Sequence, residues 1–372
     1  MRIDLVITEL DTGGAERCCA ELALFLSRRA HRVRVIALGP RPESARNALV
    51  GLLETNNIEL HFLGGKTRWK LPWVASKFWS LLQSDRPDVA QSFLWHANVL
   101  SAWIVPRFGI PLFGGVRVAE RSKSRHALDR WAASRSVKTV CVSQGVANWC
   151  VQTEKMDSSK LVVIPNGIAV SDSKPLIDLD SNSHNVPADA RILLFCGRLE
   201  QQKGIDILVQ QAGNFLGRLP EHHLVCIGDG SLRHRIDELS QQTELRGRVH
   251  RLGRRNDVRS WMARSELLLL PSRYEGMPNV ILEAMAEGIA CVTTRVEGIE
   301  ELLGNQLTNQ SVEKGDWNAF FDLAVHLANS KEQRAAIGLA NRTRVEKEFD
   351  LANLFLRYEA LYVAKDIEHS SI

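Results

Sequence analysis

The stretch ILLFCGRLEQQKGID, residues 192–206, reads as a buried strand, a basic loop bounded by glycines, and the start of a helix. The continuous apolar run 192–195 is typical of a strand covered on both faces of a parallel sheet. Further strand-like stretches, with helical stretches between them, occur at 224–227, 249–252, 267–270 and 290–293. This alternation predicts a series of β-α-β units in the second half of the chain.

The first half of the chain shows the same alternation. Apolar runs occur at 3–7, 33–37, 89–92 and 137–142, and residues 16–29 have the apolar period of a helix. We therefore predict an α/β fold of two doubly wound, Rossmann-like domains that face each other across a cleft. The predicted divisions are a first domain (1–168), a Ser-, Asp- and Pro-rich linker (169–190), a second domain (191–350), and a final helix (351–372) expected to pack back toward the first domain.

The composition excludes several classes of protein. With 372 residues, 45% hydrophobic and 24% charged, the chain can bury an ordinary core and is not a disordered protein. No apolar run approaches the ~20 residues of a membrane-spanning helix, and the start lacks the layout of a signal peptide, so we expect a cytoplasmic chain. Its seven scattered cysteines indicate reduced thiols, and neither a disulfide framework nor a zinc site is expected.

The loop that follows the strand 192–195 carries two cations. Arg198 and Lys203 leave the carboxyl end of that strand within one loop, so both can converge on a diphosphate. Gly197 and Gly204 keep the backbone open around them. The alternative is a solvated basic loop.

The stretch PSRYEGMPNVILEAMA, residues 271–286, contains a second strand end, a loop and a helix start. The backbone N–H groups of Met277 to Ile281 would open the helix and face the cleft. Glu275 can accept hydrogen bonds from sugar hydroxyls, and Glu283 can accept a pair from a ribose. Two glutamates that merely suit the helix dipole are the alternative.

The loop after the first strand contains Gly13 and Gly14 and precedes the first helix. Glycines at a helix N-terminus let a phosphate approach the backbone, although a tight turn explains the same residues. His96 follows another strand end, and a histidine at the edge of the core is the alternative to a site role there.

Several motifs occur in one order along the chain: the early Gly-Gly loop, IPNG at 164–167, the Arg198 and Lys203 segment, GDG at 228–230, Glu275-x7-Glu283, and VEGIEE at 296–301. Together they resemble glycosyltransferase family four, the retaining nucleotide-sugar transferases of GT-B fold. The resemblance covers nearly the whole chain. It implies an acceptor-binding first domain and a second domain that binds the nucleotide-sugar donor. Position 297 is Glu where relatives often have Gly.

The resemblance also implies roles for individual residues. Arg198 and Lys203 bind the donor diphosphate, Glu275 lies by the donor sugar, and a first-domain histidine, for which we select His96, contacts the sugar near its reacting carbon. These four are the predicted catalytic residues. The predicted donor-binding residues are Gly13, Gly14, Gly197, Gly276, Met277, Pro278, Asn279, Val280 and Glu283.

The chemistry implied by the resemblance needs no metal and no resident cofactor. Cations placed beside the leaving diphosphate lower the barrier of a transfer that passes through an oxocarbenium-like state. The resemblance supplies no carboxylate beneath the anomeric carbon, which favours attack from the same face. The pair Asp178 and Asp180 matches a D-x-D metal motif, but it lies in the polar linker without a preceding strand, so no metal site is predicted.

The first half of the chain is basic and rich in tryptophan. Residues 1–168 contain 23 Lys and Arg against 14 Asp and Glu, and seven of the nine Trp precede residue 150. Residues 66–79, KTRWKLPWVASKFW, resemble a segment on a membrane surface, although a helix packed by its aromatic residues explains them equally. A second basic cluster contains Arg117, Arg121, Lys123, Arg125 and Arg130.

We therefore expect a retaining, metal-independent hexosyltransferase. It would move a sugar from a nucleoside diphosphate, most simply UDP, to a saccharide or lipid-linked saccharide in bacterial cell-surface polysaccharide or glycolipid synthesis. An anionic membrane surface on the inner face of the cytoplasmic membrane is a hypothetical partner. The alternatives are another GT-B enzyme, such as a sugar-nucleotide epimerase, and a non-catalytic binder of nucleotide sugars. No nucleic-acid module accompanies the basic residues, so nucleic acid is not an expected partner.

Overall fold

The computed structural model describes residues 1–11, 13–43, 46–65, 70–119, 125–170 and 186–369. Most of the predicted linker 169–190, including Asp178 and Asp180, lies outside the described residues, as do residues 66–69, Arg121 and Lys123. The chain forms two compact units: unit 1 comprises 1–166 with 351–372, and unit 2 comprises 167–350.

Unit 1 is an alternation of strands and helices that ends with the last helix of the chain. Its elements are β1 (Arg2–Ile7), α1 (Gly14–Arg28), β2 (Arg32–Ala37), α2 (Ala48–Thr55), β3 (Glu59–Phe62), α3 (Leu71–Ser84), β4 (Val89–Phe93), α4 (Trp95–Ile104), β5 (Leu112–Val116), α5 (His126–Arg135), β6 (Lys138–Cys141), α6 (Gln144–Gln152), β7 (Leu161–Val163) and, after unit 2, α15 (Leu351–His369).

The seven strands of unit 1 form one sheet in the order β3-β2-β1-β4-β5-β6-β7, and every neighbouring pair is parallel. Helices on both faces bury the apolar strands in two core clusters. The helix α15 joins the first cluster through Phe355, Tyr358 and Tyr362, and the Tyr362 hydroxyl donates to Gln91 Oε1 at 3.2 Å. The last helix of the chain is therefore part of the core of unit 1.

Unit 2 repeats this architecture without repeating the sequence. Its elements are β8 (Arg191–Cys196), α7 (Ile205–Gly217), β9 (His222–Ile227), α8 (Arg233–Ser240), β10 (Val249–Gly253), α9 (Val258–Arg264), β11 (Leu267–Leu270), α10 (Asn279–Ala286), β12 (Ala290–Thr294), α11 (Ile299–Leu303), α12 (Leu307–Gln310), β13 (Ser311–Val312), α13 (Trp317–Asn329) and α14 (Lys331–Glu348).

The strand order of unit 2, β10-β9-β8-β11-β12-β13, is that of a Rossmann fold. In both units the order reverses beside the first strand, and ligands of such sheets bind at that switch point, outside the carboxyl ends of the strands. The switch point lies between β1 and β4 in unit 1 and between β8 and β11 in unit 2. The predicted α/β class with two doubly wound sheets is confirmed.

Four strands were not predicted from the sequence. The edge strand β3 is only half-buried, β5 contains two glycines, and β7 and β13 have three and two residues. β3 alternates polar and apolar residues, the glycines of β5 interrupt its apolar residues, and β7 and β13 are shorter than a typical strand of about five or six residues. Among the described residues, no helix is both long enough and apolar enough to span a membrane.

Candidate functional site

The switch point of unit 2 collects most of the predicted site residues. Arg198 and Lys203 lie in the loop after β8, and Glu275 lies in the loop after β11, which is the neighbouring strand. Parallel strands present their carboxyl ends at one edge, so residues 72 positions apart in sequence come into contact there.

The central contact is an ion pair between Lys203 and Glu275. Lys203 Nζ lies 2.6 Å from Glu275 Oε1, and the side chains are 14% and 6% exposed. The same oxygen accepts a hydrogen bond from the Ser272 hydroxyl at 2.7 Å. Both donors therefore hold Oε1, and within the described part of the chain Oε2 receives no hydrogen bond.

Backbone geometry fixes the position of Lys203. The next residue, Gly204, has φ +72°, and a Cβ atom there would lie 1.9 Å from the carbonyl oxygen of Pro271 at the end of β11. Only glycine allows this approach. Arg273, in the loop after β11, is tied to the first turn of α7, because its guanidinium pairs with both carboxylate oxygens of Asp206 at 2.7 Å. The segment that follows Lys203 is therefore fastened to the segment that precedes Glu275.

Arg198 occupies a different environment from Lys203. Its side chain is exposed, and one guanidinium nitrogen donates to Gln202 Oε1 at 2.5 Å. Gln202 in turn donates to the carbonyl oxygen of Tyr274 at 3.1 Å, in the loop that carries Glu275. An exposed guanidinium held at one corner can still present its remaining N–H groups to an anion.

The loop between Glu275 and α10 is held by the 297–298 turn. The backbone N–H of Glu275 donates to Glu297 Oε2 at 3.2 Å. Gly298 has φ +82° and lies so close that a Cβ atom there would be 2.4 Å from the carbonyl oxygen of Gly276. The Glu297 carboxylate therefore helps to position the loop that carries Glu275.

The helix α10 starts directly after this loop. Met277 and Pro278 are buried, and Asn279 and Val280 form its first turn, where N–H groups have no partner within the helix. Glu283 lies one turn further on and is half-buried near Cys196. Burial, with a contribution from Glu283, raises the pKa of the Cys196 thiol to about 12. Gly197 and Gly276 belong to the two loops already described.

In unit 1, a carboxyl group is buried in the first turn of α1, beside the loop after β1. Gly13 is the N-cap of α1, and a Cβ atom there would lie 2.1 Å from Glu16 Oε2, so the Glu16 carboxyl group lies against the helix N-terminus. Glu16 is 8% exposed. Burial raises its pKa to about 7, and the nearby Glu9 and Asp11 act in the same direction.

His96 lies at the other side of the unit 1 switch point, after β4. It is exposed, and its ring stacks edge-on against Trp95 with centroids 4.8 Å apart. The turn before it is strained, because Leu94 has φ +70° and ψ 160°, a region that residues other than glycine rarely adopt. The N–H of Ala97 donates to Thr8 Oγ1 at 3.3 Å, which ties the turn to the end of β1. The predicted residues of unit 1 therefore occupy adjacent loops.

Sequence reasoning missed several residues at these switch points. Ser272 holds Glu275, Glu16 is buried in the first turn of α1, and Leu94 carries the strained turn. Glu16 lies two residues after Gly14 in the sequence and could have been noted there, whereas no local pattern marks a positive φ at a leucine. Within the described ranges, no group of three or more His, Cys, Asp or Glu residues is arranged to hold a metal ion.

Comparison with known proteins defines the class to which this architecture belongs. Residues 12–172 match the family description "Glycosyltransferase Family 4", and residues 190–330 match "Glycosyl transferases group 1". HepE of Anabaena, solved with UDP-glucose, shares the fold with a TM-score of 0.82 and 20% identity over 98% of this chain and 100% of that one. The fold is GT-B.

Two curated relatives are similar at the level of sequence. The UDP-Gal:alpha-D-GlcNAc-diphosphoundecaprenol alpha-1,3-galactosyltransferase of Escherichia coli is 25% identical over 68% of this chain and 69% of its own length. The N-acetyl-alpha-D-glucosaminyl L-malate synthase of Bacillus anthracis is 29% identical over 51% of this chain and 50% of its own. The chain belongs to glycosyltransferase family four.

Proposed function

We propose that this glycosyltransferase uses a nucleoside-diphosphate sugar, with UDP as the nucleotide, and transfers the sugar with retention of its anomeric configuration. The acceptor is a saccharide or a lipid-linked saccharide in the synthesis of bacterial cell-surface polysaccharide or glycolipid. The observation that carries this proposal is the Lys203–Glu275 pair at the switch point of unit 2, with Arg198 in the same loop.

The pair supports donor binding because it offers both kinds of group that such a donor needs. The Lys203 ammonium and the Arg198 guanidinium can bind diphosphate oxygens, and the Glu275 oxygen not taken by Ser272 and Lys203 can accept a hydrogen bond from a sugar hydroxyl. Glu283, near the start of α10, is proposed to accept the ribose hydroxyls.

The two cations are proposed to stabilise the leaving diphosphate. Negative charge grows on its oxygens as the bond from the anomeric carbon breaks, and preorganised cations lower the energy of that state. The acceptor oxygen then attacks from the face that the diphosphate leaves, and the diphosphate takes the acceptor's proton. His96, on the exposed turn after β4, is proposed to contact the sugar near the reacting carbon.

The relatives support the nucleotide and the acceptor class. HepE was solved with UDP-glucose, and the Escherichia coli relative is named for UDP-Gal and a diphosphoundecaprenol-linked acceptor. The Bacillus anthracis relative is named for L-malate. A lipid-linked acceptor suits the basic first half of this chain, with 23 Lys and Arg against 14 Asp and Glu in residues 1–168. The proposed place of action is the inner face of the cytoplasmic membrane.

The first experiment measures thermal stabilisation of the full chain by UDP, GDP, ADP and their common sugars, with EDTA or with Mg²⁺. A ligand that binds only the folded state raises the unfolding midpoint. We expect a shift with UDP and one UDP-sugar, unchanged by EDTA. A shift that requires Mg²⁺ would contradict metal independence, and the absence of any shift would contradict the donor site.

A second experiment separates transfer from epimerisation. The stabilising UDP-sugar is incubated with and without a saccharide acceptor, and the product is examined by NMR. Retention gives the donor's anomeric configuration in the new linkage. An inverted linkage would refute the retaining mechanism, whereas donor isomerisation without an acceptor would favour the epimerase alternative.

A further inference from the structure

One surface of unit 1 is formed by the outer sides of α3, the end of α4, and the short turn 105–108 that follows α4. We call it the tryptophan face, and it is defined by Leu71, Trp73, Lys77, Trp79, Arg86, Trp103, Arg107 and Phe108. Its large apolar side chains are strongly exposed: 55% for Leu71, 47% for Trp73, 42% for Trp79 and 48% for Trp103.

The four strongly exposed side chains are not part of the core beneath them. The inner side of α3 buries Val74, Phe78 and Leu82, and α4 buries Leu100 and Ile104 in the same cluster. On the outside, α3 is in contact with the 105–108 turn, because the ring of Trp79 packs against Phe108 with centroids 4.7 Å apart. The exposed rings therefore form a surface in addition to a complete core.

Cations are stacked on the aromatic rings of this face. Lys77 Nζ lies 3.6 Å above the Trp73 ring, and the Arg107 guanidinium lies 5.3 Å from the Trp103 ring. Arg86 lies 5.9 Å from the ring of Phe108. Each exposed aromatic cluster thus has a positive charge directly beside it.

The same elements contain no negative charge. Neither α3, α4 nor the 105–108 turn has an Asp or Glu. The nearest acidic residues in sequence, Asp85 and Asp88, both form ion pairs with Arg2. The face is therefore apolar and positive, which is the complement of a surface that is apolar and negative.

We propose that the tryptophan face docks unit 1 onto an anionic lipid surface. Tryptophan places its ring at the boundary between headgroups and acyl chains and keeps its N–H in water, and neighbouring Lys and Arg bind lipid phosphates. This proposal rests on the membrane placement in the proposed function and identifies the residues responsible. It does not depend on the donor site.

The test uses the full chain in vesicle flotation, with phosphatidylcholine alone and with about 30% phosphatidylglycerol, at about 0.05 and 0.3 M NaCl. Wild-type protein should bind the anionic vesicles at least tenfold more tightly than the neutral ones, and salt should weaken the binding. Brominated lipid should quench part of its tryptophan fluorescence.

Three double variants localise the binding. Trp73→Ser/Trp103→Ser and Lys77→Glu/Arg107→Glu should each lower anionic-vesicle binding at least tenfold, and the first should also lose most of the bromine quenching. The matched control is Lys331→Glu/Leu339→Ser, which changes one exposed cation and one exposed apolar residue on α14 of unit 2. It should bind like wild type.

All variants should retain the wild-type unfolding midpoint and the same stabilisation by the preferred UDP-sugar, so loss of lipid binding is distinguished from loss of fold or donor site. Equal wild-type binding to neutral and anionic vesicles would overturn the proposal, as would equal losses in the control. If no vesicle binds and the variants instead abolish dimerisation in sedimentation experiments, the face belongs to a second copy of the chain and the lipid assignment is wrong.

Discussion

Replacing Lys203 by Met should lower both stability and turnover, because Lys203 pairs with Glu275 in the structure and is proposed to bind the donor diphosphate during the reaction. The variant leaves Glu275, whose side chain is 6% exposed, without its cation. Breaking a buried pair on one side costs about 3 kcal/mol. For a unit of the size of 167–350, each kcal/mol moves the unfolding midpoint by about 2–4 °C, so we expect a fall of about 6–12 °C.

Arg198 provides the matched control for this variant. It lies in the same loop but is exposed and bonded only to Gln202 among the contacts described, so Arg198→Met should change stability by less than about 0.5 kcal/mol. Both variants should lower donor turnover by at least about 10²-fold, because each removes a positive charge that is proposed to stabilise the leaving diphosphate. The assay combines calorimetry with release of nucleotide from the UDP-sugar.

A double variant separates the structural effect from the catalytic one. Lys203→Met/Glu275→Gln removes both charges of the pair, so it should recover at least half of the lost stability and none of the turnover. The reasoning is refuted if Lys203→Met and Arg198→Met lose equal stability, or if Lys203→Met keeps more than about a tenth of wild-type turnover.

Three further predictions concern other parts of the two units. The pKa of Glu16 is raised to about 7 in the folded chain, so its contribution to stability is present below about pH 4.5 and is lost as pH rises through 7. The free energy of unfolding of Glu16→Gln should therefore equal that of wild type near pH 4.5 and exceed it by about 1–3 kcal/mol near pH 8. Unfolding midpoints measured across that pH range check this. Gly204→Ala should lower the free energy of unfolding by more than about 3 kcal/mol, because the new Cβ atom would clash at 1.9 Å and the backbone would also be strained. The control Gly247→Ala, with φ +77° and open space around it, should lower it by only about 1–2 kcal/mol. Equal unfolding midpoints for the two variants would contradict the clash. His96→Ala should lower turnover about 10²-fold with little change in midpoint, while His326→Ala, exposed on α13, should leave turnover unchanged; unaltered turnover in the first variant would remove His96 from the site.

The pairing of Lys203 with Glu275 also predicts that the diphosphate and the Glu275 carboxylate share the Lys203 ammonium when the donor binds. The ammonium is already neutralised by the carboxylate at 2.6 Å, so a diphosphate must share or replace that partner when it binds. Ser272 still holds the same carboxylate oxygen, which keeps Glu275 in place while its cation is shared. Ser272→Ala should therefore weaken binding of the UDP-sugar more than binding of UDP alone, since only the sugar is proposed to use Glu275.

The sequence by itself determined the α/β class, most strands, and the loops in which the proposed site residues lie. These features follow from local chemistry: an apolar run buried on both faces predicts a parallel strand, and glycines with basic residues after it indicate a loop at its carboxyl end. Arg198 and Lys203 follow β8 for that reason.

The tertiary structure alone decided which of these residues meet. The contact between Lys203 and Glu275 depends on β8 and β11 being neighbours, which no pattern within either segment specifies. The burial of Glu16 and the strained backbone of Leu94 likewise result from packing against other elements. Local propensities act over a few residues, whereas strand order and burial are set by the packing of the whole unit, and these produce the charges and distances of the site.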